Sequence, residues 1–374
     1  MVTRPDCIIV GAGLVGLSAA FRLMRCGLRV EILAAGRPDA SLAAAGMLAP
    51  GVEAAEAILT GGAHPRLAEL FVAGAARWPA FAEELCGDSE DWRAIGHDKR
   101  DTLWAADGPD GRFVDALAKA AAGLGVTVEV LSGNEARRLE PALSLHATQA
   151  LHFVGDSLIE PAHLIRALTQ ALRHAGIEIQ DARIASVRHI DGVVRLRAIS
   201  GATYEAGAVV LAAGWPGPHK LAPEFAHIIP IKGQIATLSA RRPPRVMLRG
   251  PGIYLAPRGD GRVECGATSE RWIQSLQTDP AAIQALQARA AALAPDLAIA
   301  WPIASRVGVR PGSPDQAPIL GASAVGDRVF LAAAPHRNGI LLAPLLADII
   351  ADGITGAESR GDWLNALSAA RFSD

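Results

Sequence analysis

The chain has 374 residues, half of them apolar, and a formal net charge of −2. This length predicts two domains, or one large domain with a second one inserted. Acidic and basic residues are interspersed, so the charge pattern indicates neither a nucleic-acid partner nor a polybasic membrane surface. The four cysteines are scattered without a CxxC pair, which favours buried thiols in a reducing compartment over disulfides or a zinc site.

The chain begins with a glycine-rich turn between two predicted strands, residues 7–10 and 28–33. The turn carries Gly11, Gly13 and Gly16, and an alanine- and leucine-rich helix follows over residues 14–24. The first glycine permits a tight turn, the second lets the backbone approach a pyrophosphate, and the third lets helix and strand pack closely. Free N–H groups at the start of the helix would bind the phosphates. The pattern predicts dinucleotide binding rather than an ordinary turn.

Two nearby features have two interpretations each. Glu31 lies 20 residues after Gly11 (31 − 11), the distance at which an acidic residue commonly binds the ribose hydroxyls. It falls in the middle of the predicted strand, so a solvent-facing strand residue is an equally good interpretation. Residues 41–50 are mostly small and precede Glu53. Such a run lets a flat ring approach the backbone, but it also fits the start of an alanine-rich helix.

Two apolar stretches, residues 7–24 and 329–350, resemble membrane segments. The first carries the three glycines of the dinucleotide pattern and lacks the cleavage-like end of a signal peptide. The second contains Arg337 and Asp348, which are costly at the centre of a bilayer. We therefore expect a cytoplasmic protein that does not use a membrane.

The rest of the chain alternates between helical and extended patterns. Predicted helices cover residues 65–85, with a kink or interruption at Pro79, and residues 111–123, 161–174, 280–294 and 340–351. The apolar run 207–215 predicts a buried strand that returns the chain to the first sheet. Residues 228–238, 252–257 and 262–268 predict an antiparallel sheet. The fold class is therefore α/β, with a doubly wound parallel sheet and a second, α+β domain whose sheet is mainly antiparallel.

The sequence shows neither metal-ligand spacing nor a nucleophile motif, which favours an enzyme whose cofactor carries the chemistry. Arg310 ends a predicted strand, and Arg337 opens a predicted helix. Either guanidinium suits a small carboxylate, although a surface salt bridge is the commoner role of an arginine. Tyr254 lies in an apolar strand, so its hydroxyl needs a partner if it is buried, and a ligand carboxylate would provide one.

Motifs along the whole chain are similar to those of one family. They lie at residues 11–17, 44–50 with Glu53, 139–141, 210–214, 230–234, 254–258, 266–268, 308–311, 314–315, 337–344 and 371–372. In this order they resemble the FAD-dependent D-amino-acid oxidase superfamily and, within it, the glycine oxidases of the thiamine pathway. Ala-Ala-Gly-Met-Leu-Ala-Pro at 44–50 and Arg-Asn-Gly-Ile-Leu-Leu-Ala-Pro at 337–344 are the most specific runs.

The resemblance implies that FAD binds non-covalently along the first sheet, in a Rossmann-like domain of the glutathione-reductase type. The start of the last helix would stabilise negative charge on the reduced flavin. Arg310 would clamp the substrate carboxylate, with Tyr254 as the second donor. The implied cofactor-binding residues are Gly11, Gly13, Leu14, Val15, Gly16, Glu31, Ala45, Gly46, Met47, Ala213, Gly214, Trp215, Arg337, Asn338, Gly339, Ile340 and Leu341.

The reaction implied by the resemblance is hydride transfer from the Cα of glycine or another small amino acid to the flavin, without a protein acid or base. The imine then hydrolyses, and oxygen or another acceptor takes up the electrons. One alternative is an oxidase or dehydrogenase of secondary amines such as sarcosine. Others are a non-catalytic flavin-binding subunit and, more distantly, an NAD-dependent dehydrogenase. Relatives are often homotetramers, and no stretch of this sequence defines an interface.

The predicted FAD-binding domain comprises residues 1–85, 155–220 and 305–374, and the predicted substrate-binding domain residues 86–154 and 221–304. The sequence departs from the family at four places. Ala34 stands where the ribose-binding acid is usual, Ser269 where methionine is common, and Gly252 where a larger polar residue is usual. Residues 334–336 replace a Gly-His-aromatic run. We expect Ser269 and Gly252 to widen the pocket, so that the best substrate is larger than glycine.

Overall fold

The computed structural model describes residues 4–36, 39–87, 92–107, 111–215, 221–357 and 360–372. The predicted domain boundary at residue 220 lies outside these residues. The strands are β1 (Cys7–Val10), β2 (Val30–Ala34), β3 (Met47–Leu48), β4 (Asp98–Lys99), β5 (Thr102–Asp107), β6 (Val128–Ser132), β7 (Ala147–Phe153), β8 (Ser157–Leu158), β9 (Ile179–Asp181), β10 (Ile184–Ile190), β11 (Val193–Ala198), β12 (Thr203–Ala206), β13 (Ala208–Leu211), β14 (Ile229–Ser239), β15 (Met247–Gly250), β16 (Ile253–Pro257), β17 (Arg262–Gly266), β18 (Glu270–Arg271), β19 (Trp301–Gly312), β20 (Ile319–Ser323) and β21 (Gly326–Ala333).

Helices alternate with these strands through most of the described chain. They are α1 (Leu14–Arg25), α2 (Asp39–Leu42), α3 (Pro50–Thr60), α4 (Leu67–Cys86), α5 (Gly111–Gly123), α6 (Gly133–Leu139), α7 (Pro161–His174), α8 (Pro280–Leu293), α9 (Gly339–Thr355) and α10 (Gly361–Ala366). The predicted interruption at Pro79 is wrong, because α4 continues through it. At residues 41–50 neither interpretation holds alone, since a short helix, a two-residue strand and the start of α3 follow one another.

The first layer is a sheet with the strand order β20-β21-β13-β1-β2-β9 in the described chain, parallel apart from its antiparallel edge strand β20. Strand β1 lies between β13 and β2 and is parallel to both. Its alternating side chains enter two different cores, because successive residues of a strand point to opposite faces. Cys7 and Ile9 pack among helices α1, α4, α7 and α9. Ile8 and Val10 pack against the small sheet β10-β11-β12. The return of residues 208–211 to the first sheet, predicted from the apolar run, is confirmed.

The second sheet has the order β18-β14-β17-β16-β15-β5-β7-β6, and β19 pairs with β14. Its pairs are antiparallel apart from β15 with β5. The predicted fold class is therefore confirmed. Residues 305–312, which the predicted division places with the FAD-binding part, lie in β19 of this antiparallel sheet. A continuous register from Ile229 opposite Gly312 to Ala236 opposite Ser305 holds them there.

One helical segment of the described chain, His336–Thr355, is long and apolar enough to cross a membrane by length and composition alone. In the structure 83% of its most apolar window is buried, and its side chains pack against α1 and α4 in the core beside the parallel sheet. A helix that is buried on most of its surface in a core has this composition.

Candidate active site

A cleft of about 430 Å³ opens where β1, β2 and β13 end. The turn after β1 forms its floor. Gly11 has φ +117°, and a Cβ at this position would lie 2.3 Å from the carbonyl oxygen of Ala212. Gly16 is equally constrained, because its Cβ would lie 2.1 Å from the oxygen of Gly11. Only glycine permits these approaches of turn, helix and strand, as the sequence pattern predicted.

The cleft fits the phosphates of a dinucleotide. Gly13 is the residue before α1 and has no side chain that could cap that helix end. Beyond Gly13 the cleft is open, since an added Cβ would meet only the Ser41 hydroxyl, at 3.6 Å. The N–H of Leu14 donates to this same hydroxyl (3.2 Å). A glycine cradle and the N–H groups of a helix start are the groups that bind a pyrophosphate. The cleft wall also includes Ala213, Gly214 and Trp215.

Glu31 does not line this cleft. It is paired with Ile8 in the middle of β2, and its carboxylate accepts a hydrogen bond from the Gln180 side chain (3.3 Å). The cleft is lined instead by Ala34 at the end of the same strand. Ligands bind at the carboxyl ends of the strands, and a residue inside a strand lies before that end. The geometry therefore gives Glu31 no access to a ribose in the cleft.

Ala45 and Gly46 directly precede β3, which begins at Met47 and belongs to a separate small sheet, β3-β8-β4. Gly46 has φ +76°, and a Cβ would stand 1.9 Å from the carbonyl oxygen of Ile159, so this position requires glycine. The Arg258 guanidinium donates to the carbonyl of Ala45 and so ties the run to the hairpin of β16 and β17. Met47 packs against the same apolar cluster as Tyr254. The run therefore borders the second sheet rather than the phosphate end of the cleft.

Tyr254 and Arg310 approach each other across the face of the second sheet. The side chain of Tyr254 on β16 lies over Gly266 of β17, where an added Cβ would be 2.4 Å from the hydroxyl oxygen. The Arg310 guanidinium on β19 lies over Gly233 of β14, where an added Cβ would be 2.2 Å from Cζ. Strands β14 and β17 are neighbours, so two glycines leave room for the two donors to converge.

The electrostatics of this pair suit a carboxylate. Burial raises the pKa of Tyr254 to about 12, so the phenol stays a donor. Burial also lowers the pKa of Arg310. Within the described chain Arg310 makes no ion pair, and its Nη1 donates to the backbone carbonyl of Thr268 (3.1 Å). A guanidinium with free N–H groups beside a phenol can bind a planar carboxylate by two or more hydrogen bonds.

Glu53 lies at the centre of an ionic cluster between the two sheets. It comes from the first turn of α3 and bonds Arg249 of β15 (2.8 Å), Arg337 (2.7 Å) and the Asn338 amide (3.2 Å). Burial alone would raise the pKa of Glu53, but Arg337 and Arg249 outweigh it and lower the pKa to about 2. Arg249 stands directly opposite Tyr254 in the sheet. The cluster thus joins α3 and the start of α9 to the second sheet, which carries the pair Tyr254 and Arg310, here called the clamp.

The start of α9 lies beside this cluster. Gly339 begins the helix, no side chain caps it, and Ile340 and Leu341 are buried against its neighbours. His336, just before, has its pKa lowered to about 3 by burial and by the nearby Arg337 and Arg310 guanidinium groups. The imidazole is therefore neutral at ordinary pH.

Gly252 does not act as predicted. It occupies the exposed turn between β15 and β16 with φ +69°, and its carbonyl accepts from Arg289 of α8 (3.3 Å). The turn conformation explains the glycine there. Ser269 is exposed immediately before β18. The position of Gly252 in an exposed turn removes the basis for its part in widening the pocket, whereas the widening expected from Ser269 stays a prediction.

Comparisons with known proteins agree with this geometry. A family model described as FAD dependent oxidoreductase matches residues 6–353. The chain belongs to the FAD-dependent oxidoreductase family. Membership confirms the resemblance inferred from the sequence and the predicted cofactor, FAD. In the described residues no group of three or more His, Cys, Asp or Glu is placed to hold a metal ion.

Relatives within the FAD-dependent oxidoreductase family cover the whole chain. The glycine oxidase of Bacillus licheniformis is 28% identical, over 99% of this chain and 98% of its own length. The bifunctional protein ThiO/ThiG of Synechocystis sp. is 31% identical over 100% of this chain, which spans about half (55%) of that relative. The crystal structure of glycine oxidase from Geobacillus kaustophilus superposes with a TM-score of 0.85 at 30% identity, covering 96% of both chains.

Sequence reasoning missed several residues of this FAD-dependent oxidoreductase. Ser41, Arg183, Gln274 and Leu276 line the cleft. Arg249 bonds Glu53 from the neighbouring sheet. The signal that could have flagged Arg249 is a charged side chain in a run that otherwise forms a buried strand. Ser41, on α2, opens the small-residue run 41–50 that the sequence did indicate. The other three have no local signal, because they reach the cleft from loops whose course depends on the fold.

Proposed function

We propose that this chain oxidatively deaminates glycine or another small amino acid. The amino acid, water and oxygen give the keto acid, ammonia and hydrogen peroxide. The observation that carries the proposal is the convergence of Tyr254 and Arg310 over Gly266 and Gly233, with no carboxylate of the described chain on Arg310. A small carboxylate completes that site. The names of the glycine oxidase relatives support the same class of substrate.

The protein's part in the reaction is to bind and orient. Arg310 and Tyr254 bind the substrate carboxylate. Because both residues stand on the same sheet, binding the carboxylate also orients the substrate Cα and amine. The cradle of Gly11, Gly13 and the α1 start holds FAD, as do Ala213, Gly214 and Trp215. FAD supplies the acceptor for the hydride that leaves Cα. In this proposal the N-terminus of α9, from Gly339 to Leu341, provides the positive end of a helix dipole beside the site.

Three titratable groups beside the clamp are not suited to act as a general base near pH 7. Tyr254 stays protonated with a pKa of about 12, His336 has a pKa of about 3, and Glu53 is ion-paired with a pKa of about 2. A base needs a pKa near the working pH. In the proposal the substrate amine binds in its neutral form or loses its proton to solvent. We expect kcat/KM to rise with pH until the amine is deprotonated.

The test is the visible absorption spectrum of the purified protein without oxygen, before and after adding glycine, D-alanine, D-proline or sarcosine. Bleaching by an amino acid, with peroxide formed when oxygen returns, supports the proposal. Bleaching by sarcosine alone would favour the secondary-amine alternative. A yellow protein that none of the four bleaches would overturn amino-acid oxidation and leave the flavin-binding subunit.

The setting of the reaction is also part of the proposal. The partners are a small amino-acid substrate and oxygen or another electron acceptor. The four cysteines of the chain are free, and Cys26 is exposed, which supports a reducing compartment such as the cytoplasm. The ThiO/ThiG relative supports thiamine biosynthesis as the pathway. Size-exclusion chromatography with light scattering would test the homo-oligomer that the resemblance suggests.

A further inference from the structure

The segment from Glu270 to Asp279, here called the strap, links the second sheet to the cofactor cleft. It begins as β18, paired with Ile231 and Lys232 of β14. The N–H of Trp272 then donates to the carbonyl of Pro230 (2.7 Å), and the strap leaves the sheet. Gln274 and Leu276 of the strap line the cleft. Residues 271–279 are all exposed, so the packing of these side chains contributes little to holding the strap in place.

One buried side chain fixes both ends of the strap. Gln234 of β14 is fully buried. Its Nε2 donates to Oε1 of Glu270 (2.8 Å), and its Oε1 accepts from the backbone N–H of Asp279 (2.6 Å). The two partners leave one orientation of the amide, because the reverse would set an NH₂ group against an N–H and an oxygen against a carboxylate. Asp279 in turn caps α8 through Ala281 (2.9 Å).

The same network reaches the carboxylate clamp. The N–H of Gln234 donates to Oγ1 of Thr268 (3.0 Å), and the N–H of Thr268 donates to the carbonyl of Gln234 (3.1 Å). Oγ1 of Thr268 donates onward to Glu270 (2.8 Å). The carbonyl of Thr268 accepts from Nη1 of Arg310 (3.1 Å). Thr268 is therefore held from two sides, and its carbonyl is the contact that holds the guanidinium.

We propose that Gln234 is a positioning residue that couples the strap to the Arg310 guanidinium. It acts on substrate through Thr268 and on the cofactor cleft through the strap. The part that concerns substrate rests on the proposed function, whereas the part that concerns FAD rests on family membership alone. Connected buried hydrogen bonds of this kind fix geometry, and leaving one partner unpaired is costly.

The test uses the holoprotein and exchanges the two ends of one hydrogen bond. Q234E puts a carboxylate beside that of Glu270 and removes the donor. The double variant Q234E/E270Q restores a donor, now on residue 270, to an acceptor on residue 234. The exposed substitution Q284E in α8 is the matched control for an added charge. None of these variants changes a group assigned to touch FAD or substrate.

Two readouts are independent of turnover. Acetate, which has a carboxylate but no amine, is titrated while the visible flavin spectrum is followed. FAD release on dilution is followed by flavin fluorescence. We expect Q234E to weaken acetate binding about tenfold and to speed FAD release about tenfold, with the double variant within about threefold of wild type on both. Q284E should match wild type.

Three results would overturn the proposal. One is a Q234E variant that binds acetate and releases FAD as the wild type does, even if its melting temperature falls. Gln234 would then have a purely structural role. Another is a double variant no better than the single one. If Q234E does not fold, T268V decides, because it removes the hydroxyl that joins Gln234 to Glu270 and keeps the carbonyl that Arg310 contacts: acetate binding at least threefold weaker supports the coupling, and unchanged binding refutes it. Wild-type protein that binds acetate but oxidises no amine would refute the proposed function only.

Discussion

Gly233→Ala offers a test of the clamp that leaves both of its donors in the chain. The added Cβ would stand 2.2 Å from Cζ of Arg310. Restoring a carbon–carbon contact of about 3.6 Å moves the guanidinium by about 1.4 Å. The obstructing atoms belong to the end of a flexible side chain rather than to backbone, so the chain can relieve the overlap cheaply. The guanidinium then leaves the position from which it reaches a carboxylate.

The expected loss in function is large and the loss in stability small. A misplacement of about 1 Å in a positioning group costs about 100-fold, so kcat/KM should fall about 100-fold, or about 2.7 kcal/mol. The free energy of unfolding should change by about 1 kcal/mol or less, because alanine also restricts the unfolded chain. Gly233 does not have a positive φ, so the substitution adds no backbone strain there. Steady-state peroxide assays and urea unfolding measure the two quantities.

The control is Gly259→Ala, in the hairpin turn of the same sheet, where no atom lies within 4 Å of an added Cβ. It should behave as wild type in both assays. A Gly233→Ala protein with wild-type KM and wild-type acetate affinity would refute the placement of Arg310 over β14 as the carboxylate site. A protein that loses FAD as well would show that the clamp and the cofactor cleft are not separable.

Three further predictions follow from the same contacts. Tyr254→Phe should raise KM about tenfold without loss of FAD, because one donor to a charged group is removed; steady-state kinetics measure it. Glu53, with its pKa held at about 2 against an ordinary 4.5, should contribute about 3 kcal/mol that is fully present above pH 4.5 and is lost as pH falls towards 2. Urea unfolding at pH 6 and pH 3 should show about 2 kcal/mol of that loss. Glu53→Gln should reduce the difference between the two pH values by this amount, whereas the part due to other carboxyls with lowered pKa values, such as Asp315, remains. Gly11→Ala should purify without FAD, because its Cβ meets backbone at 2.3 Å, whereas Gly123→Ala, with open space around it, should stay yellow.

Much of the fold was predictable because its signals are local. The glycine turn, the buried runs and the amphipathic helices each occupy one stretch of chain, and the strands and helices form at or near those stretches. Arg310 and Tyr254 were also predictable, since a charged or phenolic side chain stands out in an apolar strand. The interruption predicted at Pro79 was wrong because the buried side chains of α4 pack in the core before and after this residue. That packing outweighs the low helix propensity of proline.

The motifs at residues 230–234 and 266–268 contain the glycines and the amide of the site, but the roles of these residues were not predictable. Gly233 and Gly266 have negative or extended backbones, so no turn requires them. Their role is to leave room for the side chains that lie over them. Which side chains lie there depends on the register of β14 with β17 and β19. Gln234 has the same origin, because its two partners are 36 and 45 residues away in sequence. Pairings at such separations are set by the whole sheet and not by composition.

The position of β19 changes how the site divides between the two sheets. The predicted division places residues 305–374, and so Arg310, with the FAD-binding part. The register with β14 places Arg310 on the same sheet as Tyr254, so one sheet carries both groups proposed to bind the substrate carboxylate. In the proposal FAD is held mainly by turns at the end of the parallel sheet, and Glu53 is one of the ionic contacts between that part and the second sheet. Substitutions on the face of β14, β16 or β19 should therefore change substrate affinity before they change cofactor affinity, whereas loss of the Glu53 charge should weaken both together.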